Sequence, residues 1–134
     1  MATALWPLRT ALYTKLTGSA PLMSLITGVF DEVPDGQPYP YVTINSITET
    51  ADDAHDHQGL WCTVQINVWT RAPGFKQSAE IFAAVDAALD RQALSVAGYT
   101  DVSIRCDQHM ELRDPDPDIR HINAQYRVWL TRQT

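Results

Sequence analysis

Long apolar runs, basic clusters and cysteine pairs are what this chain has least of, and each shortage excludes a class of protein. No stretch approaches the roughly 18 apolar residues that a membrane-spanning helix needs. The N-terminus, Met1 to Thr10, has no basic start followed by an apolar core and a small-residue cleavage site, so a secretory signal is not expected. Lys and Arg number 10 against 16 Asp and Glu, a net charge of −6. That balance argues against a broad basic face that grips nucleic acid. Only Cys62 and Cys106 are present, without CxxC spacing or a nearby ligand cluster, and both sit in strand-like apolar runs. They read as buried free thiols, not as a disulfide framework.

Catalytic signatures are missing too. The chain holds no GxSxG, no phosphate-cradling GxxxxGK[ST], no GxGxxG and no HExxH. Two stretches carry metal-ligand residue types. Asp52-Asp53-Ala54-His55-Asp56-His57 offers carboxylates and imidazoles, the right donors for a metal. It lies in a short polar loop with no second ligand pair of recognisable spacing elsewhere, so a solvated hairpin tip is the better reading. Arg113-Asp114-Pro115-Asp116-Pro117-Asp118 alternates its aspartates as a calcium loop does. It lacks that motif's glycine and distal glutamate, and its prolines stiffen it, so it reads as a rigid solvated turn. No cofactor and no catalytic residue is expected.

What is present is enough for one folded domain, expected to span residues 1–134. The hydrophobic fraction is 45% and the charged fraction 19%. Leu5, Leu8, Leu12 and Leu16 predict a first helix over Ala4–Leu16, with Thr3 as cap and Gly18 as stop. Ser19, Pro21, Leu22, Leu25 and Ile26 predict a short second helix ended by Gly28. Val29, Phe30 and Val33 predict a short strand, and Tyr41–Thr50 a longer one. Leu60–Arg71 is the clearest strand: Leu60, Cys62, Val64, Ile66 and Val68 face one way, and Trp61, Thr63, Gln65, Asn67 and Trp69 the other. A main helix over Phe75–Arg91 carries the stripe Ile81, Phe82, Val85, Ala88 and Leu89. Short and longer strands are expected at Leu94–Ala97, Val102–Leu112 and Ile119–Thr131. Strands cluster in runs instead of alternating with helices, which predicts an α+β fold: a mostly antiparallel sheet with helices packed on one face.

The outer face of such a sheet should be polar. Here Trp61, Trp69 and Trp129 fall in the outward phase. They imply either packing under a loop or a subunit interface, where tryptophan is enriched.

Three stretches together resemble the tail-completion (tail-terminator) family of long-tailed phages and related gene-transfer particles. The first pairs Leu8-Arg9-Thr10-Ala11-Leu12-Tyr13 with Val29-Phe30-Asp31-Glu32-Val33-Pro34 and Pro38-Tyr39-Pro40-Tyr41-Val42. The second is Val64-Gln65-Ile66-Asn67-Val68-Trp69-Thr70-Arg71, then Gly74 and the alanine-rich helix to Ala88-Leu89. The third is Arg113-Asp114-Pro115-Asp116 with Arg120-His121 and Tyr126-Arg127. The resemblance spans nearly the whole chain. It implies a homo-oligomeric ring, usually of six subunits, in the virion at the head-proximal end of the tail. Its partners would be the tail tube protein and the head–tail connector, with assembly in the host cytoplasm and no membrane. Double-stranded DNA would pass through without specific binding. Candidate interface residues are Trp61, Trp69 and Trp129, with the loop residues Asp52, Asp53, His55, Asp56 and His57. Two other readings stand beside it: a small metal-dependent hydrolase using the 52–57 loop, and a monomeric tail-assembly adaptor.

Overall fold

The computed structural model describes residues 3–53 and 58–133. The elements run α1 (Leu5–Thr17), α2 (Ala20–Met23), β1 (Val29–Phe30), β2 (Tyr41–Ala51), β3 (Gly59–Thr70), α3 (Lys76–Leu89), β4 (Tyr99–Arg113) and β5 (Arg120–Arg132). The strands form one sheet in the order β1-β2-β3-β5-β4. All neighbours are antiparallel except β1, which pairs parallel to β2. Buried residues of α1 and α3 join the inward-facing residues of the strands in one apolar core. The fold is therefore α+β with its helices on one side of the sheet.

The core follows the two periodicities. Leu60, Cys62, Val64, Ile66 and Val68 on β3 are all at most 2% exposed, as period-2 alternation requires. On β5, Ile122, Ala124, Tyr126, Val128 and Leu130 alternate likewise and are at most 3% exposed. On α3, Ile81, Phe82, Val85 and Leu89 recur at helical spacing and are buried against the sheet. Leu8, Leu12 and Leu16 seal α1 onto the sheet, but Leu5, one turn earlier, lies at the helix start and is 41% exposed.

Several local expectations fail for identifiable reasons. Thr3 does not cap α1; the N-cap is Ala4, whose side chain has no acceptor. The Ala4 N–H instead donates to Glu49 Oε1 on β2 at 2.7 Å. A carboxylate 45 residues away thus serves the positive end of the helix. Gly18 does end α1, yet at φ −80°, outside the left-handed region. Ser19 caps α2, accepting from the Leu22 N–H at 3.3 Å. That helix stops at Met23, well before Gly28. Gly28 makes room for an aromatic ring, since a Cβ there would meet Phe30 at 2.8 Å. Leu94–Ala97 forms no strand. It crosses back to the sheet as irregular chain, burying Val96 and turning at Gly98, where φ is +87°.

The β4 strand departs furthest from simple alternation. Its register slips between Thr100 and Ser103 and again between Cys106 and Gln108. After the second irregularity Met110 pairs with Asn123 and Leu112 with His121. Both partners lie on the outer face, so Met110 and Leu112 do not continue the core stripe of Val102, Ile104 and Cys106. One unpaired residue reverses the phase.

Each edge of the sheet is partly protected. β1 covers only two residues of β2. Beyond it Arg9 of α1 takes over, its Nη1 donating to the Ile44 carbonyl at 2.6 Å and its Nη2 to the Asn45 carbonyl at 2.5 Å. On the other edge the turn after α3 occupies β4: the Arg91 N–H donates to the Ile104 carbonyl at 2.9 Å, and the Cys106 N–H to Asp90 Oδ1 at 2.8 Å.

Candidate assembly face

Because the helices lie on one side, alternate residues of β3 and β5 project from the other. The register sets Trp61 directly opposite Trp129, and Trp69 opposite His121. Each indole is half-buried by its own neighbours. The Arg127 guanidinium lies over Trp61 at 4.5 Å and that of Arg105 over Trp129 at 5.2 Å. His121 stacks on Trp69 with ring centres 4.3 Å apart and planes 22° apart. The Trp69 Nε1–H donates to Thr43 Oγ1 at 3.0 Å. Desolvation in this stack lowers the pKa of His121, opposed by the charge of Asp114. Its ring is therefore biased toward the neutral form.

Between the aromatic ends runs a ladder of amides and hydroxyls across three strands. Thr43 Oγ1 donates to Asn45 Oδ1 at 2.7 Å, and Asn67 Nδ2 donates to the same oxygen at 2.6 Å. Asn123 Nδ2 lies 3.1 Å from Asn67 Oδ1 and 2.9 Å from Gln65 Oε1. These bonds hold the side chains flat on the sheet, which makes a firm surface instead of a layer of solvated rotamers.

Charge is distributed unevenly. The outward positions of β3 and β5 (Trp61, Thr63, Gln65, Asn67, Trp69; His121, Asn123, Gln125, Arg127, Trp129, Thr131) include no Asp or Glu, in a chain whose net charge is −6. Arg127 is directly opposite Arg105 on β4. Asp107 Oδ2 approaches Arg127 Nη2 at 3.6 Å, and Arg127 Nε is buried with no hydrogen-bond partner among the described residues. Acidic residues gather instead at the β4–β5 tip. There Asp114 Oδ1 accepts from the Asp116 N–H at 3.1 Å and Asp116 Oδ1 from the Asp118 N–H at 3.0 Å. Arg71 faces Asp116 at 3.8 Å, both half exposed.

The three tryptophans singled out in the sequence thus share one face. Asp52 and Asp53 are exposed beyond β2. His55, Asp56 and His57 lie outside the described residues, so the expected hairpin-tip loop is placed only through its flanks. Among the described residues no three His, Cys, Asp or Glu side chains are grouped to hold a metal ion. Cys62 is buried and free, while Cys106 is free but only half-buried, its strand being the sheet edge. Burial pushes the Cys62 and Cys106 thiols up to about 11. The amide ladder and the Arg105–Arg127 pair were missed in the sequence. Their signal was the recurrence of Asn, Gln and Arg in the same outward phase as the tryptophans. A second exposed aromatic pair, Trp6 at 68% and Tyr13 at 49%, lies two turns apart on α1, on the helical side.

The family model of tail completion protein gp17 matches residues 10–131. A solved chain from the virion of a native gene transfer agent particle is 27% identical, with 92% of this chain and 94% of that chain covered and a TM-score of 0.85. Another solved structure, 18% identical over 96% of this chain and 95% of its own, has a TM-score of 0.56 and shares the fold alone. No curated protein matches.

Proposed function

The chain belongs to the tail completion protein gp17 family, and on that premise we propose that it is one subunit of a ring of six copies that closes the tail tube. The family and the gene-transfer-particle relative make it a virion-associated tail structural protein. The finer reading concerns where and how it works. The ring sits at the head-proximal end of the tail, contacts the tail tube protein on one side and the head connector on the other, and assembles in the host cytoplasm.

The observation that carries this reading is the outer sheet face. None of the described helices covers it, yet it is built from hydrogen-bonded amides and from indoles already half-buried. Tryptophan and arginine are the residues that subunit interfaces favour. Electrostatics fits a conduit as well. Six copies at −6 each carry −36, and such a ring repels phosphate instead of binding it, so double-stranded DNA passes unheld.

Two measurements test the proposal together. Light scattering behind size-exclusion chromatography, over a hundredfold range of concentration, should show a discrete oligomer of about six chains. A gold-labelled antibody on purified particles should mark the tail at its junction with the head. A monomer at every concentration favours the adaptor reading; label anywhere else on the particle removes the assigned position.

A further inference from the structure

Resting on the ring reading, we propose that the contact between neighbouring copies is head-to-tail: the acidic β4–β5 tip of one copy docks on the Arg105–Arg127 pair of the next. Two guanidinium groups directly opposite on adjacent strands repel one another. Here each is held over an indole, Arg127 over Trp61 and Arg105 over Trp129, which fixes both cations in place. Among the described residues, the carboxylate that approaches from the same chain is Asp107, at 3.6 Å from Arg127 and too far for a good charge-assisted bond. The pair therefore carries more positive charge than its surroundings neutralise, on a face otherwise without carboxylates on β3 and β5. Planar forks beside an aromatic floor suit carboxylates, which they engage with two hydrogen bonds each.

The chain supplies the complement at the β4–β5 tip, away from the mid-sheet arginine pair. Asp116 and Asp118 stand on a tip made rigid by Pro115, Pro117 and successive side-chain-to-backbone bonds. Asp118 is exposed, and the ion pair of Asp116 with Arg71 is long. The tip cannot reach the arginines of its own sheet. From Arg120 to Arg127 the strand advances roughly 23 Å at about 3.3 Å per residue. A contact between two different patches of identical subunits is heterologous, and it closes into a ring when the rotation permits. Charge complementarity of this kind also fixes register and speeds encounter.

The experiment uses two complementary variants and sedimentation velocity. Arg105→Glu/Arg127→Glu removes the receiving site, and Asp116→Lys/Asp118→Lys the tip. Each alone should raise the concentration for half-assembly by at least about tenfold, with an unchanged circular dichroism spectrum. Mixed in equal amounts they should reassemble, because the native tip of one meets the native arginines of the other, and the reversed tip meets the reversed site. Asp118→Lys alone leaves both turn bonds intact and should show a smaller loss in the same direction, which secures the result should the arginine variant misfold. Rings of wild-type size from both variants overturn the contact and leave the ring standing. A wild-type monomer at all concentrations overturns the ring and the contact with it. Intact rings with lost DNA retention in the arginine variant assign those guanidinium groups to phosphate and overturn the protein contact.

Discussion

Removing a single oxygen from Tyr126 tests how the main helix is tied to the sheet. Tyr126 is fully buried at the centre of β5, and its hydroxyl donates to Asp86 Oδ1 on α3 at 2.8 Å. Tyr126→Phe keeps the ring and its packing, so cavity formation contributes little. What is lost is a hydrogen bond to a carboxylate, about 1.5–3 kcal/mol. Asp86 is only half-buried and regains water, which places the expected loss near the lower end, about 1.5 kcal/mol. The converse change, Asp86→Ala, leaves the hydroxyl of a side chain with no exposed surface without its acceptor, so it should cost about as much. The double variant should then cost less than the sum of the two, with a coupling of about 1–2 kcal/mol. Urea unfolding at a concentration that keeps the protein monomeric measures all three. With a slope of about 1–3 kcal/mol per molar, the Tyr126→Phe midpoint falls by roughly 0.5–1.5 M at unchanged slope. Alkaline pH adds a check. Burial, and then the bond to Asp86, raise the folded-state pKa of Tyr126 well above its ordinary value of 10.0. A raised folded pKa means stability that is complete below about pH 10 and declines as pH rises beyond it. Tyr41, pushed up to about 12 by burial, contributes in the same direction. Tyr126→Phe should therefore lose stability less steeply above about pH 10 than the parent. Full stability of Tyr126→Phe, or strict additivity with Asp86→Ala, refutes the tether.

Other consequences follow from the same packing. Leu89→Ala deletes a side chain with no exposed surface and should cost roughly 2–5 kcal/mol in urea unfolding; a loss under about 1 kcal/mol contradicts its burial beneath the end of the helix, in the core. With both thiols at about 11 against an ordinary 9.0, the thiolate fraction at about pH 8 is about a hundredfold lower than in the unfolded chain. Alkylation by iodoacetamide should slow accordingly, and labelling as fast as in urea would mean that neither site is shielded. Replacing His55 and His57 together by Ser should leave stability within about 0.5 kcal/mol and the melt insensitive to chelator. A large drop, or a chelator-sensitive parent, revives the metal-site reading of the 52–57 loop.

Where the physics is periodic, the sequence was legible. The alternation of β3 and β5 alone places the core residues of both strands inward and all three tryptophans on one outer face. The stripe on α3 likewise names the side that meets the sheet. The failures share a different character, since each depends on a contact between distant residues or on a break in period. Glu49 caps α1 from 45 residues away, a partner that no local cap rule can supply. The slip after Cys106 turns Met110 and Leu112 outward; in the sequence it shows only as alternation that loses its rhythm. The Leu94–Ala97 segment has strand-like composition but no strand to pair with, because the turn after α3 already occupies that edge. Arg105 and Arg127 gain meaning only from a register that sets them side by side.

That register also bears on the docking role proposed for the outer face. A sheet face meant only for water in an acidic chain would carry its share of the 16 carboxylates among the outward positions of its central strands. β3 and β5 carry none there. They carry amides bonded to one another, indoles covered on one side by cations or imidazole, and an arginine opposite another arginine. Segregation of this kind costs stability within one subunit, since like charges face each other and Arg127 Nε is buried with no hydrogen-bond partner among the described residues. Placing carboxylates at the β4–β5 tip does not neutralise the arginine pair within a single copy, because Arg127 lies roughly 23 Å along the strand from Arg120 at the tip. In the proposed contact a second copy brings its acidic tip to the arginines and offsets that cost, so on this proposal the arrangement is more stable in a closed assembly than in the isolated chain.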